Sequence, residues 1–155
     1  MSAPANQPQT ISLSDLEIPQ LAEIRKQLEE ELSLLSNSFA QLKSAQAKFR
    51  SCVENVAEVK PQNKGKTILV PLTNSLYVPG KLSDLENVIV DVGTGYYVKK
   101  PRAQAVKHYE SKVEYIGTNI VALQQTIQQK QDNLNAILSV LQNKLQAQTA
   151  PKDTK

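Results

Sequence analysis

"VPLTNSLYVPGKL" at Val70–Leu82 and "VIVDVGTGYYVKK" at Val88–Lys100 are the stretches on which the fold turns. Apolar residues alternate in both, the two-residue period of strands. Ile68, Val70 and Leu72 share one face, Thr73–Ser75 turns the chain, and Leu76–Val78 returns, with Pro79-Gly80 read as bending that strand. Val88, Val90 and Val92 share a face of the next strand. Gly93-Thr94-Gly95 makes a tight turn, and Tyr96–Lys99 comes back. The expected product is two β-hairpins within about residues 66–100.

Two hairpins of that size bury too little apolar area to stand alone, and their edges offer unpaired backbone groups. Leu69, Ile89 and Tyr97 make the opposite faces partly apolar as well. Strands from other chains would satisfy both needs. The island is therefore expected to be an oligomerisation platform. Ile68, Val70, Leu72, Leu76 and Val78 would serve subunit assembly from the first hairpin, and Val88, Val90, Val92, Tyr96 and Val98 from the second.

Outward from the island, both flanks follow a heptad spacing. In the first flank Leu21, Ile24, Leu28, Leu35, Leu42, Ala45, Phe49, Cys52, Val56 and Val59 fall in steps of three and four. Glu31 and Ser38 interrupt the series, and Leu32 and Phe39 are placed to take over the seam. In the second, Tyr109, Val113, Ile116, Ile120, Leu123, Ile127, Leu134, Ile137 and Leu141 repeat in the same way, with lapses at Lys130 and Lys144. This pattern reads as coiled coil. Pro19 and Pro101 suit helix starts, while Pro61 with Gly65, and Pro151, lie past helix ends. Gly117 is a soft spot worth about 1 kcal/mol against Ala.

The expected fold class is α+β: a long antiparallel α-helical coiled coil with two central β-hairpins that join an intersubunit β-barrel. Its parts are a disordered tail at 1–10, one domain at 11–147 and a disordered tail at 148–155. Within the domain, helical arms at about 19–60 and 101–147 flank the hairpins. Each arm would span roughly 60–70 Å at 1.5 Å per residue.

Composition agrees with long helices better than with a compact core. Aromatic residues make up only 5% of the 155, and Trp is absent. The net charge of +3 is spread without a face-specific run of Lys and Arg, which argues against a nucleic-acid partner. A single cysteine, Cys52, rules out an internal disulfide and agrees with a reducing compartment. The start "MSAPANQPQT" lacks the basic and apolar regions of a signal peptide, and no apolar stretch approaches the ~20 residues of a membrane helix. A soluble cytoplasmic protein, with a nuclear pool allowed, is expected, without a membrane partner.

No enzyme signature emerges, and neither a cofactor nor a metal is expected. "GTGYY" at Gly93–Tyr97 lacks the further glycine of a dinucleotide site and the Gly-Lys-Ser/Thr of a phosphate loop, and a strand follows it. His108, the single histidine, sits in the first turns of a helix without a nearby nucleophile. Cys52 occupies a seam position that suits a small buried hydrophobe. Asp84, Glu86 and Asp91 flank or alternate with a valine strand and read as solvated or interface charges.

In a back-folded pair, the start of the first helix meets the end of the second. Ile11, Leu13, Leu16, Ile18, Leu21 and Ile24 stand on one side of that tip. Ile137, Leu138, Leu141 and Leu145 stand on the other. Leu138 and Leu145 neighbour the seam without belonging to it. The cluster reads either as a wide helix interface or as an exposed apolar patch able to hold another protein's unfolded segments.

The two central motifs, "ILVPLTNSLYVPGKL" (Ile68–Leu82) and "VIVDVGTGYYVKK" (Val88–Lys100), resemble the prefoldin family, among its α-type subunits. "DLEIPQLAEIRKQLEEELSLLSNSFAQLK" (Asp15–Lys43) resembles that family's opening helix. The resemblance covers roughly residues 11–145. It implies a heterohexamer of two α-type and four β-type subunits, with a β-barrel platform and coiled-coil tentacles. It also implies ATP-independent capture of unfolded or nascent chains, actin and tubulin among them, and their transfer to the cytosolic group II chaperonin. Clients would be held near the tentacle ends, the tip cluster of this chain. A coiled-coil scaffold or tether without client binding is the competing reading. A nucleotide-using enzyme built on "GTGYY" is a third.

Overall fold

A computed structural model of the chain describes residues 13–149, with side chains to residue 148. The expected tail at 1–10, Ile11, and the chain past Thr149 lie outside the described residues. The elements are α1 (Ile18–Glu58), β1 (Thr67–Pro71), β2 (Tyr77–Lys81), β3 (Asn87–Gly93), β4 (Tyr96–Pro101) and α2 (Arg102–Thr149). At 1.5 Å per residue, the 41 residues of α1 and the 48 of α2 measure about 60 and 70 Å.

Contacts divide the chain into two compact units. A helical unit is made of the chain up to Phe39 and the chain from Ala122 onward, and a hairpin unit is Ala40–Val121. In the helical unit, Leu21, Leu32, Leu134 and Ile137 are buried. Leu32 is buried where Glu31 interrupts the repeat, as its position in the heptad requires. The Lys130 ammonium bonds the Glu31 carboxylate, and Lys144 Nζ donates to the Ser14 and Leu16 carbonyls at 2.7 and 2.6 Å. Helix start thus meets helix end, and the two segments run antiparallel.

In the hairpin unit the same antiparallel order holds. The rings of Phe49 and Tyr109 stand 6.2 Å apart, and Gln46 Nε2 donates to the Val113 carbonyl at 3.2 Å. Gly117 lies in unbroken helix, and a Cβ there would meet Gln46 Nε2 at 3.0 Å. The soft spot is therefore a place of close approach. Ala105, Ile116 and Ile120 are buried, and the Arg102 guanidinium bonds the Val59 carbonyl past the end of α1.

The hairpins form two separate two-stranded antiparallel sheets, β1–β2 and β3–β4. Pro79-Gly80 does not end its strand. β2 runs from Tyr77 through both residues to Lys81, with Leu69 opposite Pro79. Register explains the tolerance. Leu72 N–H donates to the Leu76 carbonyl at 2.8 Å and Leu82 N–H to the Lys66 carbonyl at 3.2 Å. Counting in twos from these pairs leaves Leu69–Pro79 as a non-hydrogen-bonded pair, so the missing N–H faces away from β1.

The β3–β4 hairpin closes through Thr94 and Gly95 with φ of 52° and 81°, the two positive values of a type I′ turn. A register shift between Asp91 and Gly93 leaves Val92 as the extra residue of a bulge. The face expected to continue from Val88 and Val90 is interrupted there: Val90 is fully buried, whereas Val92 is exposed. Arg102 N–H donates to the Glu86 carbonyl at 2.9 Å and joins the root of α2 to that of β3.

Candidate functional site

The largest exposed apolar surface lies on the hairpins. Of the seventeen large hydrophobic residues exposed among the described residues, twelve belong to the stretch Ile68–Val98. Ile68, Val70, Leu72, Leu76, Val78, Val92, Tyr96 and Val98 are exposed, Val88 is half-buried and Val90 is buried. The reverse faces are as bare: Leu69 is 68% exposed and Ile89 73%. Tyr77 belongs to this surface and escaped the sequence reading, which took its strand only as a continuation of Leu76.

No monomeric surface gains from such exposure. At about 25 cal/mol per Å², covering these faces contributes several kcal/mol to association. The unpaired strand edges supply directional hydrogen bonds besides. The β1–β2 sheet has what strand-by-strand assembly needs on both faces, the β3–β4 sheet on the face of Ile89 and Tyr97 opposite the covered Val88 and Val90, and both have it along their edges.

At the terminal end of the helical unit, the tip residues divide into two layers. Leu21 and Ile137 are buried, so they form the floor. Leu16, Ile18, Ile24, Leu138 and Leu141 are half-buried above them, and Leu13 and Leu145 are exposed. Lys144 pins the segment preceding α1 through the Ser14 and Leu16 carbonyls, which holds Leu13 and Leu16 beside the end of α2.

A third feature was not legible as a face in the linear sequence. Lys100, Lys107 and Lys112 line one concavity together with Gln104, His108, Ser111 and Tyr115. Lys100 belongs to β4; for the residues on α2 the spacing was the available signal, since the steps from Gln104 through Lys107 or His108 and Ser111 to Tyr115 are of three and four and place them on one side of a helix. His108 is held below the usual imidazole range by partial burial and then by Lys100 and Lys112. Burial raises the Tyr109 phenol, with further contributions from Cys52 and Asp91. Cys52 is half-buried. Among the described residues no helix is long and apolar enough to cross a membrane.

The prefoldin subunit family matches residues 28–147. The chain is similar to a probable prefoldin subunit 5 of Schizosaccharomyces pombe, 45% identical over 142 residues that cover 90% of this chain and 92% of the relative. Similarity to the prefoldin subunit 5 of Homo sapiens is 39% over 142 residues, 92% of each chain. Among solved structures, a chain of the filamentous PFD from Methanocaldococcus jannaschii, determined by cryo-EM, superposes with a TM-score of 0.66 at 21% identity. It covers 76% of this chain and 98% of that one, a likeness of fold. Matched across its helices and both hairpins, the chain belongs to the prefoldin family and is a subunit of a prefoldin co-chaperone, with other prefoldin subunits as its partners.

Proposed function

We propose that the chain is an α-type subunit of a heterohexamer with one further α-type and four β-type subunits. In this reading it captures unfolded or nascent proteins without ATP, actin and tubulin among them, and passes them to the cytosolic group II chaperonin. It works in the cytoplasm, with a nuclear pool, and needs neither cofactor nor metal. The observation that carries the reading is the exposed apolar surface of the two hairpins, which strands of neighbouring subunits would close into a barrel.

Client contact falls to the terminal end of the helical unit. Leu13, Leu16, Ile18, Ile24, Leu138, Leu141 and Leu145 offer apolar contact there, over the floor made by Leu21 and Ile137. The patch is small, so a single end binds weakly. Several ends on one assembly bind an unfolded chain well, because linked sites raise the effective concentration.

The test is the variant Leu138→Ser/Leu141→Ser/Leu145→Ser in the assembled complex. Native mass spectrometry should still give six chains, while suppression of aggregation of unfolded actin should fall severalfold. Six chains with undiminished suppression would remove the client role from these residues. A homo-oligomer or dimer of the parent chain would instead favour a scaffold.

A further inference from the structure

We infer that the basic groove at the start of α2 is a docking site for an acidic polypeptide segment of a partner protein, held along Lys100, Lys107 and Lys112. The site is separate from the apolar tip and goes beyond the client-holding reading.

The groove has a volume of about 560 Å³, and the charges of this stretch divide between it and a second concavity. Glu110 and Glu114 belong to the same stretch of α2, yet both line a different concavity with Arg50, Val53 and Val113. Both carboxylates line that second concavity rather than the groove, and neither pairs with a groove lysine. Arg25–Glu29, Lys60–Glu58, Lys99–Asp84 and Lys130–Glu31 form ion pairs among the described residues. None of the three groove lysines takes part. Lys99, one residue from Lys100 and on the other face of β4, has its carboxylate in Asp84.

Three unpaired ammonium groups around one depression repel one another, and a bound anion relieves that repulsion. Lys107 and Lys112 are five residues apart, about 7.5 Å along the helix and roughly 140° around it, so they flank the groove from its two sides and a segment lying in it passes between them. Gln104 and Ser111 supply hydrogen-bonding groups for a peptide backbone, and Tyr115, 67% exposed, gives an apolar wall.

Polypeptide fits better than nucleic acid. The cations are lysines without an arginine fork for phosphate, and Tyr115 is the one tyrosine lining the groove, where base stacking needs a series of rings.

The test uses the assembled complex containing this full-length chain and a fluorescein-labelled oligo-glutamate peptide, titrated by anisotropy. Saturable binding that weakens with added salt is expected. The variant Lys100→Gln/Lys107→Gln/Lys112→Gln should weaken it about tenfold through the loss of three exposed ion pairs. Glu110→Gln/Glu114→Gln, which removes neighbouring negative charge, should not weaken it. If the triple variant fails to assemble, Lys107→Gln and Lys112→Gln, both on the exposed surface of α2, are measured singly. The inference is overturned by absent binding, by binding indifferent to the lysine changes, or by an oligo-uridylate RNA binding as tightly as the peptide. Absent binding includes the case of a groove already covered by a neighbouring subunit.

Discussion

Lys130 Nζ stands 2.5 Å from Glu31 Oε2, so a polar lapse in the apolar repeat of α1 is answered by a lapse in that of α2. Either residue alone would weaken the seam. Together they bond, while the neighbouring Leu32 and Leu134 stay buried. Such a pair also selects one helix register, because a slip by a heptad sets each charge opposite an apolar side chain.

The pair is partly exposed, which limits its contribution. A double-mutant cycle with Glu31→Ala and Lys130→Ala should give a coupling of about 0.2–1 kcal/mol, smaller at high salt. Replacing both by Leu should raise the melting temperature of the assembled complex while loosening the register. A zero coupling at low salt would leave the register to the leucines alone.

Gly117 sets two effects against each other. Alanine gains about 1 kcal/mol of helix propensity, but its Cβ would press on the Gln46 amide that donates to the Val113 carbonyl. That amide ends a flexible side chain and gives way by a few tenths of an ångström. Gly117→Ala should therefore stabilise by less than about 1 kcal/mol, and in a Gln46→Ala background by the full amount. Thermal unfolding of the four variants measures the difference.

Asp84 accepts hydrogen bonds from the Glu86 and Asn87 N–H groups and pairs with Lys99 at 3.1 Å. Lys99 first, then these backbone donors, lower its carboxyl from 3.8 to about 2. A folded-state value below the unfolded one means the contribution is present above about pH 3.8 and is lost as the pH falls toward 2. The stability advantage of the parent chain over Asp84→Asn should shrink across that window. An advantage constant down to pH 2 would contradict the assignment.

Thr94 holds φ of 52° at the first central position of a type I′ turn, where a β-branched residue is strained. Thr94→Asn should stabilise the β3–β4 hairpin by about 0.5–1 kcal/mol, seen as slower amide exchange across Val90–Val98. Gly95→Ala should do the opposite, since Gly95 has φ of 81°.

The elements were legible in the sequence because the forces that make them are local. A three-and-four spacing of leucines and isoleucines commits a chain to amphipathic helix, and alternating valines closed by Gly-Thr-Gly commit it to a hairpin. The takeover of the seam by Leu32 could be read for the same reason, since one residue's shift is a fixed rotation of about 100°. What depends on partners distant in sequence was decided by the tertiary structure. Pro79 stays within β2 because the register places it in a non-hydrogen-bonded pair, and Val92 is turned outward by a bulge across from Tyr96 and Tyr97. Leu21 and Ile137 sink beneath Leu138 and Leu145 because the packing of two helices sets which side is inward. That packing also sets Glu110 and Glu114 of α2 beside Arg50 and Glu54 of α1, in a concavity apart from the one that Lys107 and Lys112 line, because only the pairing of the two helices brings residues so distant in sequence together.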